Sequence, residues 1–145
     1  MPSINFFEED TVYKVPQKTK IRDWIKLIAQ QEGVIITEIN YILCSDLYLK
    51  QVNIDYLQHD YFTDIITFDN SEEEGEIEGD IFISIDRIKE NSISYSSSFD
   101  QEFRRVLIHG VLHLLGYTDK TVDDQLRMRQ KENECLSLYP VANQS

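Results

Sequence analysis

The residues best able to do chemistry lie close together: Arg105, His109, His113, Gly116 and Asp119. His109 and His113 are four positions apart. On a helix, four residues turn about 400° and rise about 6 Å, so both rings leave one face, one above the other. Two imidazoles placed in this way can reach one metal ion at roughly 2.0–2.1 Å each. Gly116 comes three residues after His113, where a glycine can take positive φ, end the helix and reverse the chain. That reversal swings Asp119 back towards the histidine face. The written pattern, H-x3-H-x2-G-x2-D, has the spacing of the long zinc signature with a turn glycine and a third ligand. Two imidazoles and one carboxylate leave a fourth position for solvent, as catalytic zinc sites do, and zinc lowers the pKa of water to about 7. The bland alternative is two histidines packed inside an apolar helix. The coincidence of a stop glycine and an acid at fixed offsets favours the metal.

Gly110 narrows the chemistry. Proteolytic zinc helices carry glutamate directly after the first histidine, as general base. Here that position is glycine, which costs a helix about 1 kcal/mol against alanine. The metal spacing is kept and the protease base is gone, so a phosphodiester becomes the natural electrophile. Arg105 lies four residues before His109 and climbs the same helical face. Its guanidinium suits a phosphate; its other reading is a salt bridge, to Glu102 or an acid elsewhere. Arg104 points off that face and reads as structural. His59, in the polar stretch LQHDY, reads as a surface residue.

The elements around these residues follow from hydropathy patterning. Ile4, Phe6 and Phe7 suggest a short strand. Thr19 is a plausible cap for a helix carrying Ile21, Trp24, Ile25, Ile28 and Ala29, ending at Gly33. Ile39 to Cys44 reads as a strand, and Asp46 as a possible cap of a helix with Leu49, Ile54 and Leu57. Thr63-Asp64 precedes a β-rich run, Ile65 to Phe68. The acidic segment 71–80 reads as a solvated loop or hairpin turn. Ile81 to Ile83 form a short buried strand, and a helical stretch begins at Asp86. Phe99 to Leu115 is the strongest helix, stopped by Gly116, and Asp123 to Leu138 is the last, closed by Pro140. Strands and helices interleave, giving an α/β or α+β class with about four strands and five helices.

The 145 residues suit one domain, with 41% hydrophobic and 28% charged residues excluding general disorder. A formal net charge of −12 excludes binding of nucleic acid or anionic membrane by bulk charge. It leaves room for a metal-centred site on an acidic body. Cys44 and Cys135 have no ligand spacing and suggest a reducing compartment. No signal-like start and no run of apolar residues long enough to span a membrane is visible, so a cytoplasmic protein without a membrane partner is expected.

The run HGVLHLLGYTD resembles the signature of the YbeY family of metal-dependent endoribonucleases, HGxLHLxGYxH or a close variant. Upstream, HDYFTDIITFD resembles the family's KDxPTDVLSFP segment and EGDIFIS its LGDIxIS segment. The resemblance covers most of the chain and implies one domain over 1–145, a mixed sheet of about four strands with surrounding helices, and a metal site at the end of a central helix. It further implies one zinc ion on His109, His113 and Asp119, and single-strand endoribonuclease action in ribosomal RNA maturation and small-subunit quality control. RNA precursors and the small ribosomal subunit or its proteins would be the partners. Three positions depart from the family pattern. Asp119 stands where the common pattern has histidine, which shifts preference towards harder ions such as manganese. Leu57 stands where many relatives carry arginine, and Arg105 where relatives often carry histidine. Arg105 is therefore the candidate catalytic cation, replacing a missing positive charge. The competing readings are another zinc metallohydrolase, a peptidase or amidase, and a non-catalytic ribosome-assembly factor.

Overall fold

Ile36, Ile39, Tyr41 and Leu43 are buried along β2 (Ile35–Cys44), an alternation interrupted once. A register shift between Ile36 and Glu38 accounts for the interruption: the extra residue moves the inward side chains by one position. β2 is thereby longer than the Ile39–Cys44 strand expected from alternation alone. A computed structural model describes residues 2–140, and the sheet it shows has four strands in the order β1-β2-β4-β3. β1 (Ser3–Glu8) and β4 (Glu76–Ser84) both pair parallel with β2, and β3 (Ile65–Asp69) pairs antiparallel with β4. The expected mixed sheet is present, as is the five-helix count among the described residues. Met1 and residues 141–145 of the expected domain lie outside the described residues.

The acidic segment divides at Gly75. Its first part is the turn of the β3–β4 hairpin, with Gly75 at φ +84°, while Glu76 to Asp80 belong to β4. Two helix starts also differ from expectation. α1 (Lys18–Gln31) begins after Gln17 in left-handed conformation and has no side-chain cap; the Tyr139 hydroxyl donates to Gln17 Oε1 at 2.9 Å. Thr19 therefore falls inside the first turn. α2 (Asp46–Leu57) is capped by Ser45, whose Oγ accepts from Tyr48 N. Asp46 instead takes Ser84 Oγ at 2.6 Å and Arg87 Nη2 at 2.9 Å, tying α2 to the start of α3 (Ile85–Ser94).

The two sheet faces are covered unequally. One carries Cys44, Ile66 and the half-buried Phe68 and Phe82 under Leu49 and Val52 of α2. The other is the main core, seated under α1, α4 (Phe99–Leu114) and α5 (Val122–Ser137). Phe103, Leu107, Val111 and Leu112 of α4 are all but fully buried there, each contributing about 1.5–3 kcal/mol of burial. The fully buried Tyr41 donates its hydroxyl to Leu107 O at 3.0 Å, and Trp24 Nε1 donates to Cys135 O at 2.7 Å. These bonds lock the central helix to the sheet and the last helix to the first. Cys44 and Cys135 are free and buried, and burial pushes both thiols up, to about 12 and about 11. No helix among the described residues is long and apolar enough to cross a membrane.

Candidate metal centre and its cleft

α4 is amphipathic in an unusual way: opposite its core face runs a stripe of Glu102, Arg105, His109 and His113, and none of the four is fully exposed. The helix lies very close to the sheet. A Cβ built on Gly110 would sit 2.9 Å from two side-chain carbons of Ile81 and 3.2 Å from Ile65 Cδ1. The glycine after the first histidine thus serves packing as well as removing a carboxylate: it lets α4 approach β3 and β4. The helix then ends in a double hydrogen bond, Gly116 N to His113 O at 3.0 Å and Tyr117 N to Leu112 O at 2.9 Å. Gly116 has φ +104°, the left-handed C-terminal cap expected from the sequence.

The reversal returns Asp119 to the histidines. Asp119 Oδ2 lies 3.4 Å from His109 Nε2 and 3.6 Å from His113 Nε2, and the two Nε2 atoms are 3.0 Å apart. The returning loop is braced from α5. Thr121 caps that helix, Thr118 Oγ1 donates to Asp124 Oδ2 at 2.8 Å, and Gln125 Nε2 donates to Asp119 O at 3.1 Å.

The other ring nitrogens have fixed partners. His109 Nδ1 faces Glu132 Oε2 at 2.6 Å, and His113 Nδ1 faces Tyr117 O at 3.1 Å. Both acceptors require a proton on Nδ1, which leaves both Nε2 atoms as lone pairs when the rings are neutral. Two lone pairs and a carboxylate oxygen pointing into one space repel unless a positive charge lies between them. The donor set therefore fits a metal ion, and His109, His113 and Asp119 could hold one. Asp119 is the most open of the three, its side chain 43% exposed, so the cluster faces solvent.

Glu132 is the residue that sequence reasoning missed. It is 5% exposed on α5 and takes His109 on one oxygen and Arg105 Nη1 on the other, at 2.9 Å. Arg105 Nη2 donates to Asn133 Oδ1 at 2.8 Å. The expected salt bridge of Arg105 is thus to Glu132 and not to Glu102. A signal was present: Met128, Glu132 and Cys135 form the buried stripe of α5, so an acid occupies an inward position. Arg104 stacks on Tyr139, its Cζ 4.4 Å from the ring centroid, in the structural role expected.

The electrostatics of the two histidines diverge. Burial pushes His109 down, but the hydrogen bond and charge of Glu132, with Asp119 and Asp64, outweigh it and leave its pKa raised. Burial and the charge of His109 lower that of His113. Burial works to raise Glu132, yet its bonds to His109 and Arg105 hold it below the usual carboxylate range.

These groups line a cleft of about 720 Å³, whose further walls include Tyr61, Asp64, Tyr95, Glu102 and Arg129. Burial raises the pKa of Asp64, against the charges of His109 and Arg87. Asp80, in the other family-like segment, does not line this cleft; it accepts from Asn40 and Asn70 on the sheet. His59 is exposed, as expected, and is not part of the histidine cluster.

Known proteins identify the family. A family profile described as Endoribonuclease YbeY matches residues 4–140. A Cytophaga hutchinsonii protein named Endoribonuclease YbeY is 57% identical over 136 residues, covering 94% of this chain and 95% of the relative. An Amoebophilus asiaticus protein of the same name is 47% identical over 145 residues, covering 99% and 96%. The solution structure of the Thermotoga maritima protein TM1509 shares the fold, with a TM-score of 0.63 at 24% identity over 94% of this chain and 88% of that one. With the profile spanning nearly the whole chain and the curated relatives this similar, the chain belongs to the endoribonuclease YbeY family.

Proposed function

We propose that this chain is a single-strand-specific, metal-dependent endoribonuclease that processes ribosomal RNA as one cytoplasmic domain over 1–145. The small ribosomal subunit or its proteins supply its context. One ion, zinc, is held by His109, His113 and Asp119; the single aspartate makes manganese the main competitor. The observation that carries this reading is the convergence of His109 Nε2, His113 Nε2 and Asp119 Oδ2 in an open cleft, within a chain whose relatives are named endoribonucleases.

When bound, the ion supplies Lewis acidity to a phosphodiester and acidifies water. The chain's own residues do the rest. His109 and His113 are held in one tautomer by Glu132 and Tyr117 O. Glu132 orients His109 and raises its basicity as a ligand. Arg105 places a permanent positive charge in the cleft wall, where negative charge develops during phosphodiester cleavage, and steadies Glu132. Asp64, in the same cleft and raised by burial, is a carboxylate suited to take a proton. Gly110 leaves no carboxylate where a peptidase keeps its base, which disfavours the peptidase or amidase reading.

The test is cleavage of single-stranded RNA, duplex RNA and a peptide by protein loaded with zinc or manganese. Cleavage confined to single-stranded RNA, lost in His113→Ala, is expected. Peptide cleavage would move the chain to the other metallohydrolases. Ribosome association by a metal-loaded protein inert on every RNA would make it an assembly factor.

A further inference from the structure

Tyr61 and Tyr95 line the histidine cleft and stay 54% and 62% exposed. Tyr61 lies in the loop between α2 and β3, and Tyr95 is the C-terminal cap of α3. An aromatic ring normally offers its large apolar surface to a core, so two rings left in water beside the metal centre need a reason.

The ring of Tyr61 is held in place. Its carbonyl accepts from Nδ2 of the buried Asn53 at 3.1 Å, and its hydroxyl lies 2.9 Å from His59 Nδ1. The His59 and Tyr61 rings stack with centroids 5.2 Å apart and planes 17° apart. The adjoining Phe62 carries the Lys50 ammonium 4.7 Å from its centroid. The loop is thus a prearranged aromatic surface with a cation beside it.

Charge points to what such a surface would bind. Five carboxylates line the cleft against two guanidiniums, Arg105 and Arg129, and Arg105 is already paired with Glu132. Away from the ion, the walls therefore give a phosphate backbone little attraction. Stacking on an aromatic ring contributes about 1–3 kcal/mol per base, independent of wall charge and tolerant of sequence.

We propose that Tyr61 and Tyr95 are stacking positions for unpaired nucleobases of the RNA strand entering the cleft. The inference rests on the endoribonuclease reading and deepens it: selection for single strands arises because only an unpaired base exposes a free face to a ring.

The probe is a single-stranded RNA hexamer containing 2-aminopurine, whose fluorescence is read within the mixing time, before cleavage. It is titrated into full-length, metal-loaded protein. Wild type should quench its fluorescence. Tyr61→Ala and Tyr95→Ala should each weaken binding about 5- to 150-fold and relieve quenching, while Tyr61→Phe and Tyr95→Phe stay near wild type. Unchanged binding by both alanine variants overturns the proposal. So does an abasic version of the hexamer that binds wild type as tightly, a comparison needing no variant to fold. Wild type that cleaves single-stranded RNA yet shows either result loses the stacking positions and keeps its function. Wild type that cleaves no RNA loses both.

Discussion

The cleft has two unlike walls. On the α4–α5 side, nearly every polar atom near the histidines has a partner: Nδ1 of each ring, both oxygens of Glu132 and both terminal nitrogens of Arg105. The meeting of Nε2 atoms with Asp119 is left uncompensated there. On the opposite side, Tyr61 and Tyr95 leave more than half of their surface open. The first wall is prearranged to fix a small ion in one geometry. The second suits a ligand that varies from one encounter to the next, because stacking tolerates any base.

Removing a metal ligand should have the largest effect. His109→Ala or His113→Ala should abolish stoichiometric metal binding and lower RNA cleavage by roughly 10³-fold or more, the equivalent of several kcal/mol of Lewis-acid stabilisation. Metal content and single-turnover cleavage measure this. Filling the space beneath α4 comes next. Gly110→Val should cost about 1–3 kcal/mol of stability, read by urea unfolding, because its side chain meets Ile81 and Ile65.

Breaking the support of the first wall should be milder and show in affinity. Glu132→Gln should weaken metal binding about 10- to 100-fold while Tyr61→Ala leaves metal binding unchanged. If both variants lost metal equally, the division between the walls would be false.

The smallest effect is in pH. Without metal, His109 is raised above its ordinary 6.5 by Glu132, so their pairing contributes stability that is full below 6.5 and lost as pH rises through the raised value. Glu132 is depressed from 4.5, so its contribution is present above 4.5 and lost as pH falls through the lowered value. The stability difference between wild type and Glu132→Gln should therefore peak at mildly acidic pH in metal-free protein. Metal loading should reverse the alkaline trend, because the ion needs an unprotonated Nε2.

The first wall was partly legible in the sequence because it is local. His109, His113, Gly116 and Asp119 sit within one helix and its turn, where periodicity and positive φ dictate geometry. Glu132 was hidden because its partner lies on another helix, and only its place among the buried positions of α5 marked it. Arg105 was legible as a residue of the stripe, but its pairing with Glu132 depended on how α5 docks. Gly110 was read chemically, and its packing role emerged only once β4 was placed beneath it. The strands followed from alternation, except where the shift after Ile36 broke the pattern. Both misplaced helix caps, at Thr19 and Asp46, lie one or two residues late: Ser45 caps α2 through its hydroxyl, and Gln17 starts α1 through its left-handed backbone. The second wall was not legible, since exposed tyrosines in a loop or at a helix end carry no periodic signal.

The decisive experiment is zinc titration of metal-free wild type and the His109→Ala/His113→Ala double variant, with X-ray absorption on the loaded protein. One ion per chain, bound through two imidazole nitrogens and carboxylate oxygen at roughly 2.0–2.2 Å and absent from the double variant, is expected. A wild type that takes up no ion, or a double variant that holds it as tightly, would contradict the metal centre and the chemistry built on it.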